Sequence, residues 1–268
     1  GLASDLSLGL RLEFFNVPAA GWTGVTMRKP GSNGVATLRN LRTAAIQLMS
    51  EHGYGAMNLR MLAKKVGIQA SSLYNYIESK QQLLFLLCEE TTENLLAEFE
   101  QTVGAAADPA ERLRKFVAFH LSYHIINRKQ ASVLQMEIRS LTAKNYQAVT
   151  KLQRAYTDKV RDIIDTGVAL GVFRVRDSEI ATFALLQMLT AVTRWYRPQG
   201  RLTMEQLVES YTDLSLGMMH ANDAASVAHI ASIAGPPKSA RPLSSLTAAA
   251  TRRARRAEPI LAAESAEG

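Results

Sequence analysis

The segment NLRMLAKKVGIQASSLYNYIESK, which spans Asn58 to Lys80, decides the interpretation of the whole sequence. Two short helical patterns lie on either side of a turn at residues 66–68. Asn58 is a residue type that caps helix N-termini, and Gly67 can adopt the left-handed conformation that a tight turn between two helices needs. Ala63 is small, so the two helices can approach each other closely. The segment therefore predicts a helix-turn-helix.

The second helix of this pair, expected over residues 70–76, has a buried side and a polar side. Ile68 and Leu73 are expected to fill the space beneath it. Six residues then project outward, namely Gln69, Ser71, Ser72, Tyr74, Asn75 and Tyr76. Small polar and aromatic side chains on a short exposed helix are typical of a recognition helix that enters the major groove of DNA.

Positive charge is concentrated around the same segment. The whole chain has a formal net charge of +7 at pH 7. Residues 28–85 contain eight basic residues and only two acidic ones, so most of that charge lies in about a fifth of the chain. The basic residues are Arg28, Lys29, Arg39, Arg42, Arg60, Lys64, Lys65 and Lys80. A solvated helix face usually mixes both signs, whereas a surface of one sign beside a helix-turn-helix suits the phosphates of DNA.

Residues 44–84, AAIQLMSEHGYGAMNLRMLAKKVGIQASSLYNYIESKQQLL, resemble the N-terminal region of the TetR family of bacterial repressors. The family pattern has threonine where this chain has Asn58, and phenylalanine where it has Ile77. Threonine and asparagine can both cap the N-terminus of a helix, and the exchange of phenylalanine for Ile77 concerns the core. The resemblance implies an all-α fold with an N-terminal three-helix helix-turn-helix DNA-binding domain and a C-terminal helical ligand-binding and dimerisation domain.

The resemblance also implies which side chains contact DNA. Tyr74 and Tyr76 occupy phosphate-contacting positions of the family, although either could instead pack against the first helix. Lys80 occupies the position of a phosphate clamp, and its alternative is a solvated lysine. Ser71 could bind DNA, cap its helix, or do both. The predicted DNA-binding set is Arg39, Asn58, Arg60, Gln69, Ser71, Ser72, Tyr74, Asn75, Tyr76 and Lys80.

The rest of the chain is divided by composition. Helical periodicity continues to about residue 219 without an alternating strand of useful length, so we expect about nine helices. We expect residues 1–34 to form a flexible arm, in which Met27 is a candidate natural start. Residues 35–82 should form the helix-turn-helix domain, and residues 83–221 the ligand-binding and dimerisation domain. Residues 222–268 should form a disordered tail, which carries a basic cluster at Arg252, Arg253, Arg255 and Arg256.

Two helices near the end of the second domain predict a dimer. Residues 177–196, DSEIATFALLQMLTAVTRWY, are apolar almost all round, and residues 203–219 carry an apolar stripe. A helix that is apolar on all sides must be covered on all sides. We expect a four-helix interface between two subunits with Leu207, Leu214 and Met218 buried in it; the alternative is a central helix within a monomer.

The stretch from Arg194 to Leu202, RWYRPQGRL, is similar to TetR-type repressors of steroid and lipid catabolism that respond to CoA thioesters, although Pro198 and Gly200 could simply end the helix. Arg139 and Arg194 lie on apolar segments, and a buried arginine needs an anion. That anion is a ligand phosphate or carboxylate, or else a carboxylate of the chain such as Glu137. The predicted ligand-binding set is Phe119, Tyr123, Met136, Arg139, Phe183, Met188, Arg194 and Trp195.

Other functional classes receive little support from the sequence. A single cysteine, Cys88, allows no intrachain disulfide or multi-cysteine zinc site and suits a reducing cytoplasm. His120 and His124 are four residues apart, but no matching ligand follows, so we expect no metal and no cofactor. No nucleophile motif, phosphate-binding glycine loop, secretory signal or membrane-spanning run occurs. The alternative to a ligand-responsive repressor is a helical carrier or enzyme with an incidental basic face.

Overall fold

The computed structural model describes residues 32–104 and 108–220, which form helices joined by short turns. The helices are α1 (Ser32–Ala56), α2 (Leu59–Val66), α3 (Ala70–Leu73), α4 (Lys80–Thr102), α5 (Pro109–Ile126), α6 (Arg128–Glu137), α7 (Ala143–Ala169), α8 (Ser178–Thr190), α9 (Val192–Trp195) and α10 (Met204–His220), with a 3₁₀ turn at Ile138–Ser140. No strand occurs within these two ranges, and the predicted all-α fold is confirmed. No helix in them is both long and apolar enough to cross a membrane.

Both predicted terminal segments lie largely outside the part of the chain that the structure describes. The tail predicted for residues 222–268 and most of the arm predicted for residues 1–34 belong there. The last three residues of the arm are an exception, because α1 already begins at Ser32. The prediction of a flexible arm was therefore wrong at its C-terminal end, where the first helix starts earlier than its apolar periodicity indicated.

The helix-turn-helix is built by local hydrogen bonds that the sequence predicted. The side-chain oxygen of Asn58 accepts the Met61 N–H at 2.9 Å and caps α2. Gly67 has φ 78° and ψ 30°, a left-handed conformation. The backbone N–H groups of Gly67 and Ile68 both donate to the Ala63 carbonyl at 3.0 Å, which ends α2 and turns the chain toward α3.

The helix α3 is shorter than predicted. The α-helical part covers Ala70–Leu73 rather than residues 70–76. Beyond it the Asn75 N–H donates to the Ser72 carbonyl at 3.2 Å, and the Tyr76 N–H donates to the Leu73 carbonyl at 2.9 Å. These bonds join residues three apart, so the segment continues beyond Leu73 as a tighter turn.

The buried side chains form two clusters that share helix α4. The first contains α1–α3 residues such as Leu41, Leu62 and Leu73, together with Val133, Leu134, Leu141 and Val149 from α6, α7 and the turn between them. The second is formed mainly by α5, α7 and α8 around Phe116, Ile163 and Leu185. Because α4 supplies Leu83 to the first cluster and Phe99 to the second, it is the structural connection between them.

The end of α7 depends on two glycines with different roles. A Cβ at Gly167 would lie only 1.9 Å from the Phe173 ring, so this glycine provides the space in which Phe173 packs. Gly171 has φ 71° and reverses the chain after α7. Gly171 therefore serves the turn after the helix, whereas Gly167 serves the packing of Phe173.

Large apolar side chains remain exposed on α8 and at one position of α10. Ile180 is 67% exposed, Phe183 50% and Leu214 57%. Leu207, in contrast, is completely buried within its own subunit, and Met218 is half-buried against the second cluster. The prediction that Leu207 lies between subunits was therefore wrong, because the apolar stripe of α10 is wide enough to face both the core and the surface.

Candidate nucleic-acid interface and its connection to the helical core

The surface of the helix-turn-helix is largely as the sequence predicted. Gln69, Ser71, Tyr74 and Asn75 are exposed, and Tyr74 is 60% exposed. Ser72 and Tyr76 are half-buried, and Tyr76 packs against the first cluster. The full outward projection predicted for Ser72 and Tyr76 was wrong, since the tight turn after Leu73 rotates Tyr76 partly toward the core.

Unpaired positive charge surrounds this surface. Arg39, Arg60, Lys64 and Lys65 are exposed, and none forms an ion pair with a residue in the described ranges. Arg42 is different, because its Nε donates to Glu90 Oε2 on α4 at 2.6 Å. The basic surface that can face phosphates is thus smaller than the sequence count indicated, and it is centred on α1 and α2.

Asn58 and Lys80 have structural partners of their own. Asn58 uses its side-chain oxygen to cap α2. The Nζ of Lys80 donates to the Gly55 carbonyl at 3.1 Å and lies 4.3 Å from the centre of the Tyr54 ring. Lys80 is therefore neither simply solvated nor freely available; it packs where the end of α1 meets the start of α4.

The side chain of Glu137, the last residue of α6, also contacts the end of α1. Its Oε1 accepts the Tyr54 N–H at 3.0 Å. The alternative in which Glu137 satisfies Arg139 is not found, because Arg139 is exposed and makes no ion pair with the residues described. The carboxylate is directed instead to a backbone donor next to Gly53, whose φ of 78° interrupts α1.

Gln81 completes the connection from the side of α4. Its Nε2 donates to the Ser140 carbonyl at 2.6 Å, and its Oε1 accepts the Thr142 N–H at 3.3 Å. One side chain therefore bonds to two backbone groups of the turn between α6 and α7. We call the residues Tyr54, Lys80, Gln81, Glu137 and Ser140 the junction, since they join the helix-turn-helix to the rest of the chain.

The predicted ligand-binding residues fall in different surroundings. Phe119 and Tyr123 are buried in the second cluster, and Met188 is half-buried against it. Met136 and Arg139, at the end of α6 and in the turn that follows it, are exposed, as are Phe183 on α8 and Arg194 and Trp195 on α9. The expectation that Arg139 and Arg194 are buried was wrong, because each lies on the outward side of its segment. The requirement for a buried anion therefore does not arise.

A buried polar cluster that the sequence only partly identified lies between α5, α7 and α8. Nδ1 of His120 hydrogen-bonds the Tyr156 hydroxyl at 2.8 Å, and Nε2 hydrogen-bonds Thr190 Oγ1 at 3.0 Å. The His124 ring packs on His120 at a centroid distance of 4.2 Å. The spacing of the histidines pointed to this place, but Tyr156 and Thr190 come from distant parts of the sequence. Among the residues described, no cluster could hold a metal ion.

Burial holds both histidines in their neutral forms. It lowers the pKa of His120 well below its usual value and that of His124 to about 4. A histidine with a depressed pKa in the folded state takes up its proton only on unfolding. Its contribution to stability is therefore complete above the unfolded pKa, near 6.5, and is lost as the pH falls toward the folded value.

We expect the free energy of unfolding to fall by roughly 1 kcal/mol per pH unit between about pH 6.5 and pH 4 because of His124, and His120 should add to this fall below about pH 6.5. Urea denaturation at a series of pH values measures this dependence. The variant His124→Phe keeps an aromatic ring and removes one titrating group, so its dependence on pH should be less steep. Identical pH dependence in the two proteins would contradict the assignment.

Together these features define a helix-turn-helix DNA-binding protein: a capped α2, a left-handed turn, an exposed polar α3 and an unpaired basic surface. Residues 41–87 match the family model described as bacterial regulatory proteins, tetR family. Residues 106–219 match the model described as tetracyclin repressor-like, C-terminal domain. The chain belongs to the TetR family of transcriptional regulators.

Individual relatives agree with this assignment. KstR2 of Rhodococcus jostii, an HTH-type transcriptional repressor, is 26% identical over 190 residues, covering 69% of this chain and 91% of KstR2. The solved structure of PfmR, a TetR family regulator from Thermus thermophilus, superposes on this chain with a TM-score of 0.61 and 33% sequence identity. The match covers 66% of this chain and 97% of PfmR. AibR, solved with isovaleryl coenzyme A and operator DNA, shares the fold at 24% identity and a TM-score of 0.58, covering 68% of this chain and 97% of AibR.

Proposed function

We propose that this regulator is a dimeric transcriptional repressor that binds a palindromic operator and leaves it when a small amphipathic ligand binds. The observation that carries the proposal is the exposed polar surface of α3 beside unpaired basic residues of α1 and α2. The relationship to KstR2, which is a repressor, supports the direction of regulation. Its place of action is the cytoplasm, where bacterial DNA lies.

The DNA-binding step uses two kinds of contact. Arg39 and Arg60 would neutralise phosphates, and backbone N–H groups around α2 would hydrogen-bond them, which fixes the register without reading sequence. Gln69, Ser71 and Asn75, together with Tyr74, would reach base edges and phosphates in the major groove. Two such surfaces related by a two-fold axis read half-sites that are one helical turn, or a multiple of it, apart.

The dimer proposal is supported by the exposed apolar side chains of α8 and α10. Ile180, Phe183 and Leu214 present large apolar surface to solvent in the single chain. An apolar band of this kind marks a protein interface more often than a solvated surface. A second copy of the same two helices would cover it in a four-helix arrangement, with Leu214 rather than Leu207 at the contact.

The ligand proposal names an acyl-CoA as the first candidate. Its main support is the similarity of residues 194–202 to CoA-responsive repressors. The exposed positions of Arg194 and Trp195 suit the charged nucleotide of such a ligand at the surface. Phe119, Tyr123 and Met188 are the predicted ligand residues that contribute to an apolar interior, where an acyl chain would lie.

Release from DNA would act through the junction. A ligand can shift an equilibrium only by binding one state better than the other, so it must favour a form in which the recognition helices no longer fit the operator. The end of α6 contacts α1 through Glu137, and the turn that follows it contacts α4 through Gln81. Movement of this turn would therefore change the position of the helix-turn-helix.

We expect Arg60→Ala to weaken binding to all duplexes and to reduce the slope of log affinity against log salt concentration by about 1, since one phosphate contact is lost. Tyr74→Ala should weaken operator binding as well. Fluorescence anisotropy with an operator selected from random duplexes measures both. Lys151→Ala, an exposed lysine on α7, is the control and should keep the wild-type slope. A wild-type protein that selects no duplex at low salt would overturn the proposal.

We expect Leu214→Arg to dissociate the dimer, because a charge without a partner would be buried in an apolar contact at a cost of several kcal/mol. Analytical ultracentrifugation across a concentration series measures the dissociation constant. Gln147→Arg adds the same charge at an exposed site on α7 and should leave the dimer intact. Equal dissociation constants for the two variants would place the interface elsewhere.

A further inference from the structure

We propose that His124 recognises the ligand of this regulator by a hydrogen bond, and that the ligand offers it an uncharged polar group, a carbonyl or a hydroxyl, on an apolar body. The inference rests on the proposed function, because it specifies the chemistry of the ligand that the C-terminal half binds. It differs from the sequence prediction, in which the ligand was held by the charges of Arg139 and Arg194.

The first step of the argument is that His120 has no hydrogen-bonding capacity left. Tyr156 and Thr190 occupy its two ring nitrogens, and the residue is only 1% exposed. These partners fix the orientation of the His120 ring. The ring is therefore a rigid surface on which another planar group can rest.

His124 rests on that surface and is not saturated. Its ring lies 4.2 Å from His120 between centroids and meets the edge of Tyr123 at 5.7 Å. Nδ1 of His124 is buried and has no hydrogen-bond partner among the residues described. Buried polar atoms are nearly always paired, so an unpaired imidazole nitrogen in an otherwise satisfied cluster indicates a missing partner.

The position of His124 allows a ligand to supply that partner. His124 as a residue is half-buried although its Nδ1 is buried, whereas His120 is only 1% exposed, so His124 is the histidine of this cluster nearer to the surface. The surroundings on the inner side are aromatic: the Phe116 ring lies 5.4 Å from the His120 ring, and the Phe119 ring lies 5.7 Å from that of Tyr123. An apolar body with one polar group matches these surroundings.

The charge state restricts the polar group. The titratable groups in ring contact or hydrogen-bonded with the two histidines are Tyr123 and Tyr156, both with raised pKa values and therefore neutral. Burial alone accounts for the lowered pKa of His124, and no cation contributes. A carboxylate placed here would lose its hydration and would gain a counter-ion only if His124 took up a proton in its buried site, whereas a carbonyl or hydroxyl needs only the hydrogen bond.

The test uses four probes with the same alkyl chain: decanoyl-CoA, methyl decanoate, decanoic acid and decane. Full-length protein labelled with ¹⁵N-histidine reports the imidazole nitrogen shifts, and anisotropy of a labelled operator reports release. The variants are His124→Phe, which keeps the ring without its nitrogens, and His124→Asn, which keeps a neutral hydrogen-bonding group. His52→Phe, at an exposed histidine of α1, is the control.

We expect decanoyl-CoA and methyl decanoate to shift Nδ1 of His124, decane to leave it unchanged, and decanoic acid to bind more weakly than its ester. His124→Phe should bind the two carbonyl probes roughly tenfold more weakly and decane as before. His124→Asn should recover part of the affinity, and His52→Phe should equal the wild type. Without a probe, all variants should bind the operator normally.

The inference is overturned if His124→Phe binds the carbonyl probes as tightly as the wild type, or if none of them binds the wild type up to its solubility limit. An increase in the stability of His124→Phe together with unchanged probe binding would assign the unpaired nitrogen a purely structural role and would also overturn it. Failure of the wild type to bind any operator without a probe contradicts the proposed function instead, so the two failures are distinguishable.

Discussion

The hydrogen bond from the Tyr54 N–H to the Glu137 carboxylate is the contact on which the arrangement of this molecule depends. It joins residues that are 83 positions apart in the chain. Gly53 lies beside this bond: its positive φ interrupts α1 immediately before Tyr54, and a Cβ at this position would lie 3.4 Å from the same carboxylate oxygen. Lys80 then packs on the Tyr54 ring, so the end of α1, the start of α4 and the end of α6 are fixed together.

In this arrangement the residues proposed to bind DNA lie apart from the residues proposed to bind a ligand. The polar surface of α3 and the basic residues of α1 and α2 lie over the first cluster of buried side chains. The histidine cluster, in contrast, lies within the second. Helices α4 and α7 supply residues to both clusters, and Gln81 of α4 binds the turn that precedes α7. A change in the second cluster can therefore reach the recognition helix through packed elements, without a ligand near the DNA.

The sequence predicted those parts of the structure whose causes are local. Asn58 and Gly67 determine the start and end of α2 through bonds within a few residues, so the helix-turn-helix could be derived from a short segment. The pairing of Arg42 with Glu90, 48 residues away, could not, and it removed one cation from the predicted DNA surface.

The other wrong predictions concern which side of a helix faces the core. Apolar periodicity does not say which side of a helix faces the core when most of its residues are apolar. Leu207 was therefore assigned to the dimer contact although it is buried in its own subunit, and Arg139 and Arg194 were expected inside although they are exposed. The partners of His120 come from positions 36 and 70 residues away, on helices whose packing only the fold defines.

The most direct test of this account is the operator affinity of two variants at Glu137. Glu137→Gln keeps an oxygen that can accept the Tyr54 N–H, and Glu137→Ala removes it. We expect Glu137→Ala to bind the operator about tenfold more weakly or worse, since a hydrogen bond to a charged acceptor is lost, and Glu137→Gln to remain close to the wild type. Equal affinity of Glu137→Ala and the wild type, with both dimeric and folded, would contradict the claim that this contact positions the DNA-reading helices.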